Sequence, residues 1–177
     1  MDEDHEPSDG SGVTTPLDWV LSRPDVTSRL RREPPDRVLF LRCRDGSEVE
    51  RLATAFPNVT IYGIDDDPDL LDQAVARLGR SSVRDRVLCQ RGSVLRPRIS
   101  MTFDLVVAAG LLTGAQRDPA TTADVLQTVA GLLGQEGLAI LDAPWSITAE
   151  EGSAAGFYRV ESLGAAGHDR TAFLLRR

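Results

Sequence analysis

Two kinds of apolar pattern alternate along this chain. Short runs such as Val38 to Leu41, Val59 to Ile64, Arg86 to Gln90, Phe103 to Ala108 and Leu138 to Leu141 are rich in β-branched and leucine side chains and read as strands. Between them, apolar residues recur at three- and four-residue spacing, which predicts helices. Gly46 to Phe56 carries Val49, Leu52, Ala53 and Phe56 on one side. The segment after Asp67 carries Leu70, Leu71, Ala74, Val75 and Leu78, and Thr121 to Leu133 carries Val125, Leu126, Val129, Leu132 and Leu133.

Start and stop residues sharpen these elements. Thr15 reads as an N-cap with Pro16 in the first helical turn, where Leu17, Val20 and Leu21 share a face. Ser22 and Pro24 repeat the start signal for a segment through Val26 and Leu30 to about Arg32, which Pro34 and Pro35 end. Asp67 is an N-cap for Pro68, and Gly79 and Gly134 are placed to close their helices. Phe157 to Leu163 and Thr171 to Leu175 flank a Gly/Ala turn and predict an antiparallel hairpin. Strands alternating with helices predict a parallel sheet covered on both faces, in an α/β architecture.

Composition bounds this picture. The 177 residues suit one domain, expected over residues 16–177, preceded by a disordered acidic tail over residues 1–15. That tail holds Asp2, Glu3, Asp4, Glu6 and Asp9 and no base, so most of the net charge of −7 lies there. An acidic balance argues against nucleic acid as a partner. No apolar run approaches the roughly 20 residues of a membrane span, and the acidic N-terminus does not resemble a secretory signal, so a cytoplasmic location is expected. Every base is arginine, which excludes lysine Schiff-base chemistry. Cys43 and Cys89 have neither metal spacing nor a disulfide framework, and with only His5 and His168 present, no metal site is expected.

Four stretches, VLFLRCRDGSEVERLA (Val38 to Ala53), IYGIDDDPDLLDQAVARL (Ile61 to Leu78), FDLVVAAGLL (Phe103 to Leu112) and LLGQEGLAILDAP (Leu132 to Pro144), resemble in order and spacing the class I S-adenosylmethionine-dependent methyltransferases. The resemblance implies a doubly wound, Rossmann-like three-layer sandwich with strand order 3-2-1-4-5-7-6 and the seventh strand antiparallel. It also implies S-adenosylmethionine as cofactor, in a crevice at the ends of the first and fourth strands.

Carried over residue by residue, the resemblance implies a cofactor site at Arg42, Arg44, Gly46, Asp65, Asp66, Gly92, Ser93 and Ala109. Arg42 and Arg44 occupy the first two glycine places of a Gly-x-Gly-x-Gly loop, Gly46 the third, and Phe40 the place of the strand-end acid. Asp65, 19 residues after Gly46, takes the place of the acid that binds ribose hydroxyls; its competing reading is an acidic turn with Asp66 and Asp67. Ser93 stands where relatives often place an acid toward the adenine, and otherwise reads as a loop residue. Ala108, Ala109 and Gly110 replace polar catalytic groups with small apolar ones. Asp142 and Trp145 close the fifth strand, and either edge the crevice or pack against the core. No catalytic residue is assigned.

Two added cations and a missing carboxylate suit a sulfonium cofactor poorly. Relatives also carry a substrate cap that the short Asp142 to Gly156 link does not provide. Three readings follow: a non-methylating partner subunit or repurposed domain, a methyltransferase with an unusual loop, or a binder of phosphate or carboxylate through Arg42 and Arg44. The first expects a protein partner over an open crevice. It also expects Arg42 or Arg44 to pair with Asp65, Asp66 or Asp67 across the crevice mouth; an arginine in this loop is tolerated if its backbone angles are ordinary and its side chain points outward.

Overall fold

The computed structural model describes residues 15–112, 118–165 and 171–177. Within them the chain forms seven strands and six α-helices. They run α1 (Pro16–Ser22), α2 (Pro24–Arg32), β1 (Arg37–Leu41), α3 (Ser47–Ala55), β2 (Thr60–Asp65), α4 (Pro68–Leu78), β3 (Val87–Arg91), β4 (Phe103–Ala108), α5 (Pro119–Leu132), β5 (Leu133–Ala143), α6 (Ala149–Ala154), β6 (Arg159–Ala165) and β7 (Thr171–Arg176). They build one sheet in the order β3-β2-β1-β4-β5-β7-β6. β1 to β5 pair in parallel and β7 is antiparallel to β5 and β6. The expected architecture is therefore present.

Both faces of the sheet are buried, which is why the strands read as continuous apolar runs. Along β1, Val38 and Phe40 join a core with α1 to α4, while Leu39 and Leu41 join a second core with α5. Caps act as their residue types predict. Thr15 accepts from the Asp18 amide in a capping box, and Asp67 Oδ1 accepts from the Asp69 and Leu70 amides. Arginines finish two helices: Arg86 donates to the carbonyls of Ala53, Phe56 and Val59 at the end of α3, and Arg177 to Ala130 and Leu133 at the end of α5.

Three local expectations change, and one helix is added. Gly79 is right-handed at φ −62°, so its helix closes without a left-handed residue. Gly134 does not close α5; the chain enters β5 at Leu133, and Glu136 at φ 62° makes the turn before pairing with β4 resumes at Leu138. Val75 is exposed. The link after β5 holds the short helix α6, started by a Thr148–Glu151 capping box. The acidic tail, the hairpin turn and His168 lie outside the described residues.

Candidate functional site

The loop from β1 to α3 has a glycine-type backbone with arginine at two of its three left-handed positions. Arg42, Arg44 and Gly46 have φ of 69°, 51° and 78°, all left-handed. An L-residue pays about 1–2 kcal/mol for that conformation, so the two arginines carry strain that glycine would not. The condition of ordinary backbone angles is therefore not met. The conformation has a visible cause: the amides of Arg42 and Cys43 both donate to the Ile64 carbonyl, at 2.8 and 3.0 Å, and Gly46 N–H donates to the Cys43 carbonyl at 3.0 Å. These bonds fix the tight loop whatever side chains it carries. Gly46 needs its small size as well, because a Cβ there would lie 3.0 Å from the Cβ of Ala74 on α4.

Asp65 ends β2 beneath this loop and is 1% exposed. One carboxylate oxygen accepts from the Arg44 amide at 2.7 Å and the other from the Asp67 amide at 3.0 Å. Its own carbonyl accepts from Gly92 N–H at 3.0 Å. The expected arginine–aspartate ion pair is therefore not the contact made. Arg44 meets Asp65 through its backbone, and no ion pair joins Arg42 or Arg44 to Asp65, Asp66 or Asp67. Asp65 is buried under the loop, where amides reach it, while Arg44 is exposed.

Arg42 instead crosses the crevice. Its guanidinium donates to the Gly110 carbonyl, beyond the end of β4, at 2.6 Å. Gly110 has φ 72°, and its N–H donates at 2.6 Å to Asp142 at the end of β5. One residue, Gly110, is thus held through both its N–H and its carbonyl, linking the β1, β4 and β5 ends at the topological switch point. Arg42, Arg44, Asp65, Asp66, Asp67, Leu70 and Gly110 line a cavity of about 390 Å³. That is at the lower end of the roughly 300–1,000 Å³ of ligand pockets, and its lining carries three carboxylates and two guanidiniums. A neighbouring cavity of about 390 Å³ shares Arg44 and Leu70 and adds Thr15, Cys43, Asp45, Ser47 and Glu48.

Of the remaining expected residues, Asp66 is exposed at the rim, and Ala109 is buried in the core on the α1–α4 face. Gly92 follows β3, close under Ile64 Cγ2. Ser93 Oγ accepts from the Arg96 amide at 3.2 Å, so it braces its own loop. Phe40, in the place of the strand-end acid, is 1% exposed and packed in the core. Asp142 joins the site through Gly110, whereas Trp145 packs against the core on the α5 face.

Two features escaped the sequence reading. Glu48, in the first turn of α3, has an Oε1 with no hydrogen-bond partner among the described residues. Burial pushes its carboxyl above the ordinary range, the Thr15 side chain and Arg44 oppose the rise, and Asp18 and Asp142 add to it. Cys43 and Cys89 meet above Gly63, two strands apart in the sheet. A first-turn glutamate looks like ordinary helix capping, and cysteines 46 positions apart carry no local signal. Among the described residues, no cluster of three or more His, Cys, Asp or Glu could hold a metal ion, and no helix is long and apolar enough to cross a membrane.

This geometry has relatives. The family model described as a methyltransferase domain matches residues 40–139, more than half of the chain. The chain belongs to this methyltransferase domain family. No curated protein matches it by sequence. Among solved structures, it is similar to the S-adenosylmethionine-dependent methyltransferase SibL in its apo form, at 16% identity and a TM-score of 0.71 over 91% of this chain and 54% of SibL. A TehB-like SAM-dependent methyltransferase from Corynebacterium glutamicum matches at 21% identity and a TM-score of 0.61, over 84% of this chain and 85% of that one. Human N-acetylserotonin methyltransferase, solved with SAM, matches at 14% and 0.62, over 92% and 55%. These likenesses establish the fold. The chain spans little more than half the length of SibL and of the human enzyme.

Proposed function

We propose that this domain transfers no methyl group and acts as a partner subunit or repurposed binding domain, its cofactor crevice closed by its own arginine. The observation that carries this is the 2.6 Å bond from Arg42 to the Gly110 carbonyl, which spans the switch point where a family member's ligand would enter. Three observations support it. Phe40 is buried in the place of the strand-end acid, Ser93 is committed to its own loop, and both Asp65 oxygens already hold backbone amides. A carboxylate has further lone pairs, but Asp65 at 1% exposure presents little surface to a ribose. A protein partner then covers the crevice mouth and its exposed Arg44 and Asp66.

A second reading has one observation in its favour. The left-handed backbone at residues 42, 44 and 46 follows the spacing of the family's three glycines, so a methyltransferase in which Arg42 swings aside as a gate retains the right loop. The anion reading is weaker, because Asp65, Asp66 and Asp67 line the same cavity and repel a phosphate or carboxylate.

Isothermal titration of the whole chain with S-adenosylmethionine separates the first two readings. The expected result is no binding heat up to millimolar ligand in the native chain. Micromolar binding by the native chain overturns the proposal and establishes the gated methyltransferase. An Arg42→Gly variant measured alongside reports the bridge: weak binding gained only in the variant shows that the guanidinium closes the crevice.

A further inference from the structure

We propose that Cys43 and Cys89 form a redox site: a pair of thiols, outside the cofactor crevice, that closes to an intramolecular disulfide on exposure to a peroxide. The inference is independent of whether the crevice binds a cofactor.

The geometry begins at Gly63. A Cβ placed there would lie 2.7 Å from Cys89 Sγ, 3.1 Å from Cys43 Sγ and 2.9 Å from Cys43 Cβ. Both sulfurs therefore lie over one point of the sheet, in space that any side chain at residue 63 would fill. Cys89 is the β3 partner of Gly63 in the parallel ladder, and Cys43 hangs over β2 from the loop that follows β1. Only a glycine between them lets the two thiols lie this close, near enough to shift each other's acidity.

The surroundings divide the roles. Cys43 is buried, and its thiol is pushed up by the hydrogen bond it shares with Cys89 and by burial. Cys89 lies on the edge strand, is partly exposed, and is lowered by the hydrogen bond from Cys43. Cys89 is thus the thiolate that a small oxidant reaches first, and Cys43 the resolving thiol. In the first step the Cys89 sulfur attacks one oxygen of hydrogen peroxide. The O–O bond breaks, and hydroxide leaves and takes up a proton as water, giving a sulfenic acid. In the second step the Cys43 sulfur attacks the Cys89 sulfur, the S–O bond breaks, and a second water departs with the Cys43 proton. Two thiols lose two electrons, and one peroxide gains them.

The product would tie the β1–α3 loop to the edge strand across β2. Cys43 lies between the two left-handed arginines, so the bond would pin the strained loop in place.

The test treats the full chain with a small excess of hydrogen peroxide at neutral pH, then counts thiols under denaturing conditions and measures intact mass. Expected are the loss of both thiols, a mass lower by about 2 Da, a monomeric band on a non-reducing gel, and full reversal by dithiothreitol. The melting temperature should rise by roughly 5–10 °C on oxidation. Cys43→Ala and Cys89→Ala variants, each confirmed folded by circular dichroism, should show no such mass loss and no peroxide-dependent rise. The proposal is overturned if the native chain keeps both thiols, gains oxygen as sulfinic acid, or links only between molecules. Because none of these readouts involves S-adenosylmethionine, their failure is distinguishable from that of the crevice proposal.

Discussion

The loops after β1 and β2 lie one above the other at the crevice and meet the expectations of the resemblance in opposite ways. After β1 the backbone is left-handed at all three expected glycine places, but two of them hold arginine. After β2 the expected acid is present and its bonds are internal: Asp65 holds the amides of Arg44 and Asp67. The comparison teaches that a preserved letter and a preserved conformation are separate facts. Asp65 matches the expected motif in sequence, yet one of its oxygens holds the strained loop through the Arg44 amide and the other holds its own turn through Asp67. The second loop is what lets the first keep its shape.

The strongest way to break this comparison is to remove the clamp. Asp65→Ala would leave two backbone amides without their acceptors, at about 1–3 kcal/mol each, so a loss of about 3 kcal/mol is expected in urea denaturation. Asp65→Asn keeps one acceptor oxygen and should lose roughly half as much. Asp66→Ala, at an exposed neighbour, is the control and should change stability by less than about 0.5 kcal/mol. If Asp65→Ala costs no more than the control, the carboxylate is not a clamp and its ligand-binding reading regains ground.

A smaller effect tests the first loop against itself. Gly46 and Arg44 share the same sign of φ, so their substitutions should move stability in opposite directions. Gly46→Ala adds both strain and a 3.0 Å contact with Ala74, for an expected loss of about 2–3 kcal/mol. Arg44→Gly relieves left-handed strain of about 1–2 kcal/mol but frees the unfolded chain, leaving a net gain of about 0.5 kcal/mol. A destabilised Arg44→Gly would show that the Arg44 side chain supports the loop through contacts that outweigh its strain.

Particular residues show how much of this was legible. Periodicity located the strands because both sheet faces are buried, as the split of Val38 and Phe40 from Leu39 and Leu41 illustrates. Thr15 and Asp67 were readable because a cap is a local hydrogen bond between neighbours. Strand order came from resemblance, since no single segment encodes which strand it will join. The Thr148–Glu151 box was present as a pattern but lacked an apolar stripe to support it. The positive φ of Arg42 and Arg44 was not legible, because the Ile64 carbonyl and the Asp65 carboxylate that hold the loop lie on another strand. Neither was the cysteine pair, whose proximity depends on the register that sets Gly63 beside Cys89.

The smallest expected effect concerns Glu48, which borders the second cavity next to Arg44. Folding raises its carboxyl above the ordinary value of 4.5, chiefly through burial. The folded chain therefore holds that proton more tightly than the unfolded chain. Its contribution is fully present below the ordinary value and is lost as pH rises through the raised one. Glu48→Gln, which mimics the protonated group, should match the native chain near pH 4 and become the more stable of the two as pH rises toward neutrality. Thermal melts of both proteins at matched ionic strength from about pH 4 to pH 8 read the difference directly. A gap that stays constant across that range would mean the residue acts by shape alone. A gap of the opposite sign would mean that Arg44 stabilises the charged form more than burial opposes it, making the exposed arginine of the first loop an electrostatic support rather than only a strained position.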